Sequence, residues 1–454
     1  MNLDTITALS TAPFMSAIGV IRISGEKTFD IVEKIFSKSL IKASSHTVHH
    51  GFIHNKDGSI LDDVIITIFK KPNSYTGEDI AEISCHGSLY IINTIQNLII
   101  SSGGRQASNG EFTKRAFLNG KLDMAQVEAV IDLIEAQSEK EVNNAINHLK
   151  GHLSIKINQI RNELLDISAQ IMAYIDFPND EIADVSHEFL CSSIKKAFES
   201  IQLLIKSYNS GQIIKNGIKT IITGKPNVGK SLLMNRLLGY DRSIVTEIEG
   251  TTRDIVEETV IFGGLKLVLS DTAGIREAID IVEKIGVQRA LDKLKNTELV
   301  LCVFDNSKEL DEKDRRLYEY IKELDCKKIA VLNKTDIGKN LLEKEKEFFE
   351  SFDKTVVISA LEGTGFDMLE NEIKLLFEDG IITKNNEIVT NARQYQCLIT
   401  ANEALERAYE NIELTPDVIE TDIEDAIALL GEVVGKSVNS EIIENIFSRF
   451  CVGK

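Results

Sequence analysis

Apolar and polar positions along the chain change their period several times, and each change predicts a different kind of element. Ile18–Ile23, Val64–Phe69 and Ile80–Ser84 are short, β-branched and bounded by turn residues, which predicts strands. Ile91–Ile100 predicts a helix, closed by Ser101-Ser102-Gly103-Gly104. Residues 1–118 therefore predict a compact α+β domain. From residue 119 onward the spacing becomes helical, with Leu122, Ala125, Val127, Val130, Ile131, Ile134 and Ala136 on one stripe. Ile155–Tyr174 continues it, Pro178 breaks it, and Phe189–Tyr208 resumes it. From Ile218 to about residue 378 the order is strand, glycine loop, helix, repeated, which is the pattern of a parallel sheet with crossover helices. Helical spacing returns from Ala392 to Phe450.

The simplest architecture is multidomain, α/β and α. An N-terminal α+β domain (1–118) precedes a discontinuous helical domain in two segments, 119–215 and 382–454. A Ras-like P-loop domain with a mostly parallel sheet (216–381) is inserted between the segments. The same pattern also allows two separate helical domains.

Composition narrows the class. A length of 454 residues suits about three domains. With 43% hydrophobic and 27% charged residues, only 5 prolines and no low-complexity stretch, the chain should hold little disorder. Its start carries Asp4 and no basic-then-apolar run, so no secretory signal is expected. Apolar runs such as Ile91–Ile100 and Leu299–Phe304 are too short for a bilayer, so no membrane is expected. The six cysteines show no C-x-x-C spacing, which fits a reducing cytoplasm. A net charge of −19 argues against broad nucleic-acid binding, so any RNA contact must be local or shared with a more basic partner.

Candidate chemistry concentrates in the third region. Gly224-Lys225-Pro226-Asn227-Val228-Gly229-Lys230-Ser231 fits the phosphate-loop pattern and lies between a predicted strand, Ile218–Thr223, and a predicted helix, Ser231–Leu238. Its backbone amides would face phosphate oxygens. Lys230 supplies a charge at the β and γ oxygens, and Ser231 a hydroxyl for Mg²⁺. Asp271-Thr272-Ala273-Gly274 ends the strand Leu265–Ser270; Asp271 can hold a Mg²⁺-bound water and the Gly274 amide can meet the γ-phosphate. One hydroxyl of Thr251 or Thr252, in the polar segment Glu249–Asp254, can complete the Mg²⁺ shell. Asn333-Lys334-Thr335-Asp336 follows the strand Lys328–Leu332. The Asp336 carboxylate, read as buried, would accept from guanine N1–H and the 2-amino group and be left unpaired by adenine. Ser359-Ala360-Leu361, after Thr355–Ile358, would turn backbone amides toward guanine O6.

Ras-type enzymes orient water with a glutamine just after the Gly274 equivalent, but Ile275 stands there. Arg276, Glu277 and Glu283 are polar candidates for that task. The Asn227 side chain could ligate a monovalent cation such as K⁺, or simply stabilise the loop. Elsewhere, Cys451 reads as a small buried hydrophobe or a reactive thiol. His46, His49, His50 and His54 read as a solvated strand rather than a metal site. The acidic run Glu420–Asp425 reads as a helix N-terminus.

Taken together, these motifs and three others resemble the MnmE (TrmE) family of tRNA-modifying GTPases. The others are Gly19-Val20-Ile21-Arg22-Ile23-Ser24-Gly25, Pro72–Asp79 and Glu111–Asp123; the terminal Cys451-Val452-Gly453-Lys454 also fits. The resemblance spans the whole chain. It implies a folate-binding first domain through which the family dimerises, and a G domain inserted in a helical domain. It implies nucleotide contacts at Asn227, Val228, Gly229, Lys230, Ser231, Leu232, Thr246, Glu247, Ile248, Glu249, Gly250, Thr251, Thr252, Asp271, Thr272, Ala273, Gly274, Asn333, Lys334, Asp336, Ser359 and Ala360. Mg²⁺ is implied at Ser231 and Thr252, K⁺ at Asn227, Thr246, Ile248 and Thr251, and Glu283 joins Lys230 as a catalytic residue. A 5-formyl- or methylene-tetrahydrofolate is implied at Arg22, Glu82, Lys121 and Lys454, and a functional thiol at Cys451. The implied partner is a GidA/MnmG-like flavoprotein carrying FAD, in a heterotetramer that modifies C5 of the wobble uridine of certain tRNAs. A ribosome-assembly GTPase gripping rRNA is the competing reading. The acidic total and the lack of a basic KH-like GxxG count against it.

Overall fold

A computed structural model describes residues 4–176, 187–240, 257–270, 297–338, 341–381, 387–412, 415–437 and 439–453. It forms two compact units: Met1–Ile131 with His148–Val185 and Glu413–Lys454, and Asp132–Asn147 with Ser186–Ile412.

The first unit is built on a six-stranded sheet in the order β3-β4-β5-β2-β1-β6. The strands are β1 (Ile6–Leu9), β2 (Ile18–Ser24), β3 (Thr47–His54), β4 (Ile60–Phe69), β5 (Ile80–His86) and β6 (Arg105–Gln106). Neighbours are antiparallel except β1 and β6. On β4, Val64, Ile66 and Ile68 are buried while Asp63 and Ile65 are exposed, as a half-covered strand requires. The buried set packs with Ile31, Val32 and Ile35 of helix α1 (Thr28–Ile35) and Ile92, Ile95 and Ile99 of α2 (Leu89–Ser101). Phe112 of α3 (Glu111–Leu118) packs with Ile6 and Ala8 of β1. Of the histidines read as a solvated strand, His49, His50 and His54 lie on β3 and His46 just before it; His46 and His50 are exposed and the other two half-buried. Among the described residues no group of three His, Cys, Asp or Glu could hold a metal.

Helices complete both units. Helix α4 spans Met124–Glu135 and α5 Glu139–Leu149, followed by α6 (His152–Asp176) and α7 (His187–Asn216). Helix α7 runs eight residues past the expected Tyr208.

The second unit carries the other sheet, ordered β12-β11-β10-β7-β9-β8. Its strands are β7 (Ile218–Thr223), β8 (Glu257–Phe262), β9 (Leu265–Ser270), β10 (Leu299–Asp305), β11 (Lys327–Asn333) and β12 (Lys354–Val357). All neighbours are parallel except the β8–β9 hairpin. Every residue of β10 is buried, so it cannot alternate apolar with polar. It alternates faces instead. Leu299, Leu301 and Val303 join Phe366, Leu369 and Ile373. Val300, Cys302 and Phe304 join Tyr318, Ile321, Phe349 and Phe352. Helices α9 (Glu312–Lys322) and α10 (Phe366–Ile381) and the segment from the helical turn Lys346–Phe349 to Phe352 supply these partners, and α8 (Lys230–Tyr240) adds Leu233 and Leu237 to the first set. Helix α11 (Ala392–Glu410) lies along α7, where Tyr208 and Tyr395 stack at 3.8 Å.

In the first unit, α12 (Pro416–Val434) packs along α6, and α13 (Ser440–Ser448) approaches α3. Helix α12 starts at Pro416, so the acidic run Glu420–Asp425 lies a full turn inside rather than at the N-terminus. Only Asp417 occupies the first turn. Glu420 is instead turned inward, accepting from Ser168 Oγ at 2.5 Å.

Candidate nucleotide site

Strand β7 delivers the phosphate loop from the middle of the second sheet. At its end Gly224 takes φ +145°, Asn227 φ +63° and Gly229 φ +102°, left-handed conformations that fold the segment back on itself. Glycine is required at 224 and 229: a Cβ would strike the Val303 carbonyl at the first and the Asn333 side-chain amide at the second. Asparagine tolerates this region better than other side chains, so the backbone alone gives a reason for Asn227. Its side-chain amide makes no hydrogen bond among the described residues, so it does not stabilise the loop that way. A loop of this kind turns successive amides toward an anion. Lys230 opens α8 and is buried. Its ammonium reaches back to Gly224 O at 2.5 Å and Lys225 O at 2.6 Å, inside the arc. Ser231 and Leu232 follow, exposed on the first turn.

The base side is tied to this loop by Asn333, at the end of β11. Its Nδ2 donates to Val228 O at 2.8 Å and its Oδ1 accepts from Ala360 N at 2.9 Å. One buried amide thus fixes the phosphate loop against the Ser359–Leu361 loop. Lys334 takes φ +71° and donates to Asn227 O at 2.6 Å and to Asp305 Oδ2 at 2.7 Å. Burial works to raise the Asp305 carboxyl, but Lys334 and the Ser307 donors outweigh it and hold it below the usual range. Asp336 Oδ1 accepts from Ser359 Oγ at 2.6 Å. Two expectations need correction here. Asp336 is exposed, so rejection of adenine by an unpaired carboxylate operates only once a base covers it. The Ala360 amide is engaged by Asn333 and the Ser359 amide by Thr364 O, so a guanine O6 would share them.

Three contributors were given no role by the sequence motifs. Asp305 ends β10 as Asn333 ends β11, and a polar residue at the carboxyl end of a parallel strand could have marked it. Lys225 points away from the arc: its ammonium pairs with Asp311 at 2.9 Å and the buried Asp314 at 2.6 Å, on the capping box of α9. Arg236 of α8 donates to the carbonyls of Ala360 and Leu361. Thr246, Glu247, Ile248, Glu249, Gly250, Thr251, Thr252, Asp271, Thr272, Ala273, Gly274, Ile275, Arg276, Glu277, Glu283 and Lys454 lie outside the described residues.

In the first unit, Arg22 and Glu82 are cross-strand partners on β2 and β5. Arg22 Nε donates to Glu82 Oε1 at 2.9 Å, and the guanidinium lies over the rings of Tyr75 and Phe112. Its Nη1 is buried without a hydrogen-bond partner. Lys121 donates to Pro72 O at 3.0 Å and is not joined to that pair. Cys451 is exposed, which overturns its reading as a buried hydrophobe. Its carbonyl accepts from the Gly110 amide, and Gly453 O accepts from Ser10 Oγ.

A doubly covered, mostly parallel sheet, a left-handed phosphate loop with its lysine, and a base loop locked to it define a P-loop GTPase. Sequence comparison carries this further. Residues 124–451 match the MnmE helical domain, and residues 5–121 match the GTP-binding protein TrmE N-terminus. A tRNA modification GTPase MnmE of Thermoanaerobacter pseudethanolicus is 41% identical over 462 residues, covering 100% of both chains. One of Natranaerobius thermophilus is 43% identical over 460 residues, again covering 100% of both. A solved structure of Aquifex aeolicus Era bound to GDP.AlF4- is 26% identical over 41% of this chain and 66% of that one, at a TM-score of 0.28. The chain belongs to the MnmE family of tRNA modification GTPases.

Proposed function

We propose that this chain spends GTP to modify C5 of the wobble uridine of certain tRNAs, to an aminomethyl or carboxymethylaminomethyl form, together with a GidA/MnmG-like flavoprotein that carries FAD. The observation that carries this reading is the end-to-end likeness to relatives named for tRNA modification, on a chain whose described base and phosphate loops are locked together for a nucleotide. The setting is the cytoplasm. The chain acts as a homodimer through a first domain of about residues 1–118, with a G domain at 216–381 between helical segments 119–215 and 382–454.

Phosphoryl transfer to water asks a protein mainly for positioning and charge. The loop amides from Asn227 to Ser231 hold the phosphates, and Lys230 turns its ammonium from the loop carbonyls to the β and γ oxygens. Glu283 orients the water in place of a glutamine. Asp336 takes the N1 and 2-amino edge of guanine. The exposed Ser231 hydroxyl is a hard oxygen donor and fits Mg²⁺, with Thr252 as the second protein ligand. Mg²⁺, when bound, would neutralise charge between the β and γ oxygens. The uncommitted Asn227 side chain fits K⁺, with Thr246, Ile248 and Thr251 completing the set. In the first domain, the unpartnered Arg22 Nη1 beside Glu82 fits a folate, whose pterin edge suits a carboxylate and whose glutamate tail suits Arg or Lys. Lys121 and Lys454 complete that set, and Cys451 offers its exposed thiol.

Deleting the gene and measuring wobble-uridine nucleosides by mass spectrometry tests the reading. Loss of the C5 modification supports it. Intact tRNA with defective ribosomal subunits overturns it in favour of an rRNA-binding role. For the cation, GTP turnover should be faster in KCl than in NaCl, and Asn227→Ala should erase the difference; equal rates in the native protein would remove K⁺ from the proposal.

A further inference from the structure

Guanine recognition is expected to draw on two short segments, Asn333–Asp336 and Ser359–Leu361, yet a residue outside both touches one of them from the phosphate side. Arg236, one turn and a half into α8, donates from Nε to Ala360 O at 3.1 Å and from Nη2 to Leu361 O at 2.7 Å. No carboxylate pairs with it among the described residues. The loop is shaped to receive it. Gly363 takes φ +81°, and a Cβ there would sit 3.3 Å from Arg236 Nη1, so a side chain would meet both backbone strain and the guanidinium.

The consequence lies in the peptide group itself. The Ala360 carbonyl and the Leu361 N–H belong to one peptide unit. A charged donor on that carbonyl draws electron density toward oxygen and makes the N–H a stronger donor. The Leu361 amide makes no hydrogen bond among the described residues, whereas the Ser359, Ala360, Glu362 and Gly363 amides all do.

We propose that Arg236 is a positioning residue for guanine: it holds and polarises the Leu361 amide, which is the main donor to the base O6. The helix that begins at the phosphate-binding lysine thereby sets the strength of the contact to the base. The inference rests on the guanine reading given above.

The test uses the full chain and calorimetric titration with GDP, IDP, ADP and 6-thio-GDP. IDP lacks the 2-amino group but keeps O6; 6-thio-GDP keeps the N1–H and 2-amino edge but has a weak acceptor at position 6. Arg236→Met should weaken GDP about tenfold, the cost of one weakened hydrogen bond. It should weaken 6-thio-GDP far less, so the GDP to 6-thio-GDP preference shrinks while the GDP to IDP preference stays. Arg236→Lys, with one charged donor, should restore part of the lost preference, and it carries the same measurement if the Met variant fails to fold. Equal losses for GDP and 6-thio-GDP would make Arg236 merely structural and overturn the proposal, as would unchanged GDP affinity. A native protein that does not prefer GDP to ADP would instead bring down the guanine reading beneath it.

Discussion

Asn333 is where the phosphate and base halves of the site meet, and replacing it by alanine isolates that join. The side chain is 2% exposed and makes two bonds, at 2.8 Å to Val228 O and 2.9 Å to Ala360 N. Asn333→Ala strands a buried carbonyl and a buried amide, each worth about 1–3 kcal/mol when left unpaired. Water entering the space returns part of this, so the expected net loss is about 2–4 kcal/mol. That loss falls on the conformation that binds nucleotide, because both stranded groups belong to nucleotide-facing loops. GDP affinity should therefore fall by about 30-fold or more, and the urea midpoint of the nucleotide-free protein should drop. Asn333→Asp keeps an acceptor for Ala360 but sets a carboxylate oxygen against the Val228 carbonyl, so it should be at least as damaging. Titration calorimetry and urea unfolding check both variants. GDP affinity within twofold of native, with an unshifted midpoint, would refute the idea that this amide locks the site.

Other outcomes follow from the charges and thiols. Burial opposes ionisation of Glu111, but Arg105, the Ser108 amide and Arg115 outweigh it and hold the carboxyl at about 2 against an ordinary 4.5. A depressed carboxylate stabilises the fold above its unfolded value, so this contribution is complete above pH 4.5 and is lost as pH falls toward about 2. Arg105→Gln should flatten acid unfolding in that window while costing about 1 kcal/mol at neutral pH, read by denaturant titration. Lys225→Met should leave Asp314 buried and uncompensated and cost about 2–4 kcal/mol of stability. Lys230→Met should chiefly cost GTP binding; the reverse order in melting and titration would show the two lysines misassigned. A maleimide at neutral pH should label the exposed Cys451 and spare Cys85, whose thiol is buried and pushed up to about 11; mass mapping of modified peptides decides.

The parts of this molecule that were legible in the sequence are those whose cause is local. Strand β7, the phosphate loop and the opening of α8 announce themselves because a parallel strand, a left-handed turn and a helix start each need particular residues in a row. Strand β4 shows its buried face through alternation. What the sequence conceals is which distant segment a polar group reaches. Nothing around Arg236 signals the carbonyls of Ala360 and Leu361, and nothing around Lys225 signals its partners on the cap of α9. Exposure is hidden for the same reason. Asp336 and Cys451 are both open to solvent, because burial depends on what the rest of the chain brings alongside. Helix lengths slip where tertiary packing overrides local signals, as in α7, which runs through Gly211 and continues to Asn216.

The first compact unit takes its residues from both extremes of the chain, and this has a consequence for synthesis. Met124, Val127 and Val130 are covered by Phe447 and Phe450, which a ribosome makes roughly 300 residues later, after about 15–60 s at ~5–20 residues per second. During that interval a greasy strip waits uncovered while the GTPase sheet in between is already able to form. A nascent chain of this kind needs a chaperone's attention early, and a ribosome stalled late should leave a product that binds nucleotide yet clumps through its front end.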